Sequence, residues 1–148
     1  MKCYLFDIDG TVADLSHRLH HIQGEKKDWS SFFADCPGDA PIPHIIGLVN
    51  ALRITDYLIL FVSGRSDQVR DKTLAWLRSH VHPAVVDIDI YMRREGDHRP
   101  DNLVKAELLD RILKDGYEPI MAFDDRDQVV KMWRERGIPC AQVAEGAF

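Results

Sequence analysis

Short apolar runs alternate with segments of helical spacing along the whole chain, and this alternation constrains the fold more than any single residue does. The runs Cys3 to Phe6, Tyr57 to Val62, Val85 to Tyr91, Ile120 to Phe123 and Ile138 to Val143 are bounded by polar turns and have the length of buried strands. Between them, Ile45, Leu48, Val49 and Leu52 share one helical face, and Val69, Thr73, Trp76, Leu77 and His80 share another. Leu103, Val104, Leu108 and Ile112 form a third face, and Val129, Val130 and Trp133 a fourth. Strand and helix in strict alternation predict an α/β domain of three layers: a parallel sheet with right-handed crossovers and helices on both faces. Ligands of such sheets bind beyond the carboxyl ends of the strands.

A chain of 148 residues is the size of one domain, so residues 1 to 148 are expected to form a single unit. No apolar run approaches the roughly 18 residues of a membrane span, and the N-terminus reaches Asp7 too early for a secretory signal. The expectation is a cytoplasmic protein with no membrane partner. Cys3, Cys36 and Cys140 are scattered without a CxxC pair and read as buried, reduced thiols. A net charge of −5 excludes a protein that coats nucleic acid by bulk electrostatics, so any such contact must be local. One local candidate is the stretch Arg93, Arg94, His98, Arg99 and Lys105, diluted by Glu95, Asp97 and Asp101; a solvated loop accounts for it equally well. Residues 12 to 41 are the least regular part, broken by Gly24, Pro37, Gly38 and Pro41. A short helix around Trp29 to Asp35 fits there, and the segment is a place for a small lid.

The residues that follow the apolar runs carry the chemistry. In Asp7-Ile8-Asp9-Gly10-Thr11 two carboxylates stand at i and i+2 where a strand ends and the chain turns. Such a pair suits two-step phosphoryl transfer, one carboxylate attacking phosphorus and the other protonating the leaving oxygen and then activating water. Alone, the same string is an acidic turn; its partners give it meaning. Ser63-Gly64-Arg65 offers a hydroxyl and backbone amides to phosphate oxygens, and Lys105 adds a positive charge. Asp124 and Asp125 complete a hard oxygen site, and Mg²⁺, which takes carboxylate and water ligands, suits Asp7, Asp124, Asp125 and a backbone oxygen at Asp9.

With DIDGT, Ser63, Lys105 and Asp124-Asp125 in this order, the chain resembles the haloacid dehalogenase superfamily of phosphatases. The resemblance implies a Rossmann-like fold with a small cap or none, and a Mg²⁺-dependent phosphomonoesterase. Asp7 would be the nucleophile that becomes an aspartyl-phosphate, and Asp9 the general acid and base. Thr11 would support the turn, Ser63 and Lys105 would hold the phosphoryl group, and Asp124 with Asp125 would serve the metal. The strings VSGR at 62 to 65, MRREGDHRPDNLVK at 92 to 105, FDDRDQVVKMWRERGIPC at 123 to 140 and QVAEGAF at 142 to 148 narrow the likeness. They are similar to the 3′-phosphatase domain of phage-type polynucleotide kinase. That similarity implies that Arg18, Arg65 and Arg93 engage substrate with Thr11 and Gly64, that Asp101 orients basic groups near Lys105, and that Arg99 and Arg126 join the charge network.

No GxxxxGK[ST] loop occurs, so the 5′-kinase half seen in such enzymes has no counterpart here. His17, His20 and His21 fit no zinc spacing. Trp29, Phe32 and Phe33 suit burial of a lid helix, or stacking on a base, and Trp76 and Trp133 read as core. Three functions follow: a phosphatase for the 3′-phosphate end of DNA or RNA, working beside a separate kinase or ligase; a nucleotidase or other small-molecule phosphatase; and a binding module. The last is disfavoured because every catalytic position is filled.

Overall fold

In the computed structural model, which describes residues 1–148, five parallel strands form the central sheet in the order β5-β4-β1-β6-β7. They are β1 (Lys2–Phe6), β4 (Leu58–Ser66), β5 (Ile90–Arg93), β6 (Glu118–Asp124) and β7 (Cys140–Gln142). Two residue pairs, β2 (Ala13–Asp14) and β3 (Ala40–Pro41), make a small antiparallel ribbon. The helices are α1 (Trp29–Ala34), α2 (Pro43–Leu52), α3 (Arg70–His80), α4 (Asp101–Lys114) and α5 (Asp127–Glu135).

Both sheet faces are buried, which is why the strands read as unbroken apolar runs. The strand alternation sorts residues cleanly. Phe6, Ile59 and Phe61 pack with Ile45, Val49, Trp76 and Leu77 of α2 and α3 on one face. Leu5, Leu60 and Val62 pack with Val104, Leu108, Val129 and Trp133 of α4 and α5 on the other. The chain leaves β1 outward to β4 and β5, then returns to β6 on β1's opposite side. Such a reversal of winding opens a crevice at the carboxyl end of β1, the point at which DIDGT begins.

Two strands differ from the sequence expectation. Of the run Val85 to Tyr91, only Ile90 and Tyr91 enter β5. Asp89 accepts the Val86 amide at 3.0 Å and closes a 3₁₀ turn over Asp87–Asp89, because a nearby carboxylate competes for the backbone donors a strand would need. β4 instead runs on through Ser63, Gly64 and Arg65, so its chemistry sits within the strand and not after it. The short helix expected at Trp29 to Asp35 forms as α1, capped by Asp28, whose carboxylate accepts the Ser31 amide at 3.0 Å.

Candidate active site

The turn after β1 is tight because the Ile8 carbonyl accepts amides from Thr11, Val12 and Ala13 at 3.0 to 3.1 Å. Gly10 has φ +82, and a β-carbon there would lie 2.1 Å from Asp125 Oδ2, so this position requires glycine twice over. The turn leaves Asp7 6% exposed at the end of β1. Lys105 Nζ, from α4, donates to Asp7 Oδ1 and to Asp124 Oδ2, each at 2.8 Å. Thr11 Oγ1 donates to Asp7 Oδ2 at 2.9 Å, and the Trp133 indole donates to Asp124 Oδ2 at 3.2 Å. Asp124 Oδ1 accepts the Asp125 amide at 2.9 Å. Behind this loop, Gln142 Nε2 donates to the Asp125 carbonyl at 3.0 Å, and a β-carbon at Gly146 would strike that carbonyl at 1.8 Å.

Asp7, Asp124 and Asp125 offer carboxylate oxygens within 4.8 Å of one another, all buried. Burial, and then the charge of Asp124, push the Asp7 carboxyl well above its ordinary range; the same two causes push Asp125 up to about 6. Lys105 opposes both shifts, and the two acids outweigh burial to keep its ammonium strongly protonated. Three buried acids facing a single ammonium form a site short of positive charge. Its all-oxygen donor set fits Mg²⁺. The Asp9 carboxylate lies outside this trio.

Asp9 belongs to a second cluster. Arg18 Nη2 donates to Asp9 Oδ1 at 2.8 Å, and Arg65 Nε and Nη2 donate to the same oxygen at 3.0 and 2.7 Å. Burial would raise the Asp9 carboxyl, but the guanidinium groups of Arg65 and Arg18 outweigh it and hold it below the usual range. Both arginines are fully buried, and both also donate to Asp39, which is 3% exposed. Their remaining donors go to the Phe32 carbonyl, from Arg18 Nη1, and to the Thr73 hydroxyl, from Arg65 Nη1.

On the opposite rim, a β-carbon at Gly64 would lie 2.0 Å from Asp101 Oδ1. Arg93 donates to the Gly64 carbonyl at 2.7 Å, to the carbonyls of Asp97 and Arg99, and to Asp101 Oδ1 at 2.8 Å. Arg126 Nη1 approaches Asp101 Oδ2 at 3.6 Å. Ser63 is buried, and its hydroxyl oxygen accepts the Arg65 amide at 3.1 Å, leaving the hydroxyl proton free to donate. The basic stretch therefore does not form a ready phosphate track: Arg99 pairs with Asp97 and Glu107, Lys105 is buried on Asp7 and Asp124, and Arg93 ties its own loop together. Only Arg94 and His98 of that group stand exposed without an ion pair.

Sequence reading missed Asp39 altogether, because one acid after Pro37-Gly38 carries no signal without its three-dimensional partners. It also assigned Trp76 and Trp133 to the core alone. Both are buried there, but their indoles also donate, Trp76 to the Asp39 carbonyl at 2.9 Å and Trp133 to Asp124.

The profile of the family described as Polynucleotide kinase PNKP phosphatase domain matches residues 1–148. A protein of Autographa californica nuclear polyhedrosis virus, named provisionally as a bifunctional polynucleotide kinase/RNA ligase, is 29% identical over 138 residues, 93% of this chain and 18% of its own length. A chain in the structure of the Pnkp1/Rnl/Hen1 RNA repair complex superposes with a TM-score of 0.84 at 28% identity, covering 99% of this chain and 43% of that one. This chain thus spans less than half the length of either relative. The class C acid phosphatase from Bacillus anthracis, solved with tungstate bound, shares the fold with a TM-score of 0.68 at 13% identity, covering 97% of this chain and 68% of that one. With its four motifs converging at the end of β1 and a family match over its whole length, the chain belongs to the polynucleotide kinase PNKP phosphatase domains of the haloacid dehalogenase superfamily.

Proposed function

We propose that residues 1–148 form one phosphatase domain that removes the 3′-phosphate from a DNA or RNA end through a phosphoryl group carried on Asp7. The observation that carries this is the Asp7 carboxylate, buried at the crevice and pinned by Lys105 and Thr11, with a second carboxylate two residues on that two arginines hold separately.

Asp7 attacks phosphorus, and the bond from phosphorus to the leaving oxygen breaks as Asp9 supplies a proton to that oxygen. Because Arg18 and Arg65 favour its ionised form, Asp9 must first take up a proton, and a phosphate monoester bound as its monoanion brings one. In the second step Asp9 withdraws a proton from the water that attacks the aspartyl-phosphate, and inorganic phosphate leaves. Ser63, the Gly64 backbone and Lys105 hold the phosphoryl oxygens. Arg93 and Asp101 fix the rim beside them. Mg²⁺, held by Asp7, Asp124, Asp125 and a backbone oxygen at Asp9, would supply the positive charge that offsets repulsion between carboxylates and phosphate.

Polymer ends are favoured over metabolites by two features. Residues 12 to 41 contribute only a ribbon of two strands of two residues each, 3₁₀ turns and a six-residue helix, too little for a large cap. The relatives carry names of nucleic-acid kinases, ligases and RNA repair. A 5′-kinase and a ligase, in a partner or in another part of a longer chain, are then its working companions.

The decisive experiment compares kcat/KM on 3′-phosphorylated oligonucleotides with that on 3′- and 5′-mononucleotides. The oligonucleotides should be preferred. Faster turnover of 5′-mononucleotides than of any 3′-phosphorylated oligonucleotide would replace this function with a nucleotidase.

A further inference from the structure

We infer that Asp39, from the irregular segment between β1 and α2, is a positioning residue that sets the two arginines so that Asp9 presents one oxygen to the leaving group. The inference rests on the assignment of Asp9 as proton donor. Its evidence is the geometry of four charged side chains.

All three guanidinium contacts to Asp9 converge on Oδ1, and Oδ2 has no partner. A carboxylate held by one oxygen alone keeps its other oxygen, in a fixed direction, for chemistry. Asp9 is also the open member of the cluster, its side chain 23% exposed while those of Arg18, Arg65 and Asp39 are 0%.

The arginines cannot fix themselves. Asp39 grips Arg18 with both oxygens, Oδ1 accepting Nε and Oδ2 accepting Nη2, each at 2.8 Å. The same Oδ2 accepts Arg65 Nη2 at 2.9 Å and so draws the second guanidinium alongside the first. Bidentate contact with a planar guanidinium fixes its plane as well as its place. The remaining donors have single neutral acceptors, the Phe32 carbonyl for Arg18 Nη1 and the Thr73 hydroxyl for Arg65 Nη1. Asp39 is in turn anchored at its carbonyl by the Trp76 indole, at its amide by the Cys36 carbonyl, and at Oδ1 by His17 Nε2. Two cations and two anions make the quartet neutral, which is how two arginines tolerate complete burial. Removing Asp39 leaves one carboxylate for two guanidinium groups, and Asp9 Oδ2 is then free to be drawn back into their fork.

The test uses kcat/KM, which reports the first phosphoryl transfer, on p-nitrophenyl phosphate and phenyl phosphate. These substrates are nearly the same size but differ in how much the leaving oxygen needs a proton. Asp39→Asn should lose on the order of tenfold or more on phenyl phosphate, part of the roughly 10²- to 10⁴-fold worth of a positioned general acid, and clearly less on p-nitrophenyl phosphate. In the Asp9→Asn background, adding Asp39→Asn should cost phenyl phosphate turnover nothing further, since both act through one group. Asp39→Glu, which keeps the charge but moves the carboxylate, should show the same uneven loss and serves if the asparagine variant does not fold. Equal losses on the two substrates in whichever Asp39 variant folds, or additive losses in the double variant, would overturn the inference while an uneven loss in Asp9→Asn keeps the proposed function standing. Equal losses in Asp9→Asn itself would remove the acid role of Asp9 and the positioning role of Asp39 together.

Discussion

Replacing Lys105 by methionine tests the charge balance of the acid cluster most directly. Methionine retains most of the side chain's length and apolar bulk, so the change removes chiefly the ammonium and its two 2.8 Å bonds to Asp7 and Asp124. The side chains involved are 2%, 6% and 2% exposed, so water cannot replace the lost partner without rearrangement. Breaking a buried ion pair from one side costs about 3–5 kcal/mol, because the other charge is stranded. Here two acids are stranded, and burial, then the charge of Asp124, already pushes Asp7 towards its neutral form. Taking up protons will relieve part of the cost, which places the loss near the lower end of that range at neutral pH and reduces it further as pH falls. At about 2–4 °C per kcal/mol for a domain of this size, the midpoint of thermal unfolding in EDTA should fall by roughly 6 to 12 °C. Adding Mg²⁺ should recover more of the loss in the variant than it adds to the wild type, since a cation that competes for the same acids is gone. Calorimetry with and without Mg²⁺ measures both quantities. An EDTA midpoint within about 2 °C of wild type, or an equal Mg²⁺ increment in the two proteins, would refute the view that Lys105 neutralises this cluster.

Asp7→Asn should keep the fold but abolish turnover, because an amide cannot attack phosphorus; wild-type-like single-turnover rates would remove Asp7 from that role. Turnover should vanish in EDTA and return with Mg²⁺, and full activity in chelator would contradict the metal assignment. Gly10→Ala forces a left-handed residue to carry a β-carbon that meets Asp125 Oδ2 at 2.1 Å. It should cost at least about 1 kcal/mol of stability and raise the Mg²⁺ concentration needed for half-maximal rate, and an unchanged Mg²⁺ titration would count against Asp125 as a ligand. Burial pushes the Cys3 thiol up to about 11 and, with the charge of Asp124 adding to it, Cys140 up to about 12. Since the thiolate is the reactive form, both stay protonated at pH 8 and should resist alkylation until the protein unfolds; labelling of the native protein at the rate of free cysteine would refute their burial.

The alternation of apolar runs determined the class of fold, because strands buried on both faces must be apolar throughout and helices must keep a stripe. The positions of Asp7, Asp9, Ser63, Asp124 and Asp125 at or near strand ends determined where the site would form. These are local properties of the chain, legible within a few residues of each other. Charge pairing was not legible, since Lys105 lies 98 residues from Asp7 and Arg65 lies 56 from Asp9. A row of arginines and lysine from 93 to 105 looks in sequence like a surface for phosphates. Folded, Arg93 and Arg99 are bound to acids and carbonyls because the turn at 94–100 and α4 bring Asp97, Asp101 and Glu107 against them, and Lys105 is bound to Asp7 and Asp124 at the ends of β1 and β6. Asp39 shows the same limit from the other side: unremarkable in its loop, it acquires a place only when β4 and the 3₁₀ turn Ser16–His21 deliver two buried guanidinium groups to it. Sequence periodicity fixes which residues must leave water, whereas the partner of a buried charge depends on which distant segments the sheet order brings within hydrogen-bond reach, and that was decided by the tertiary structure alone.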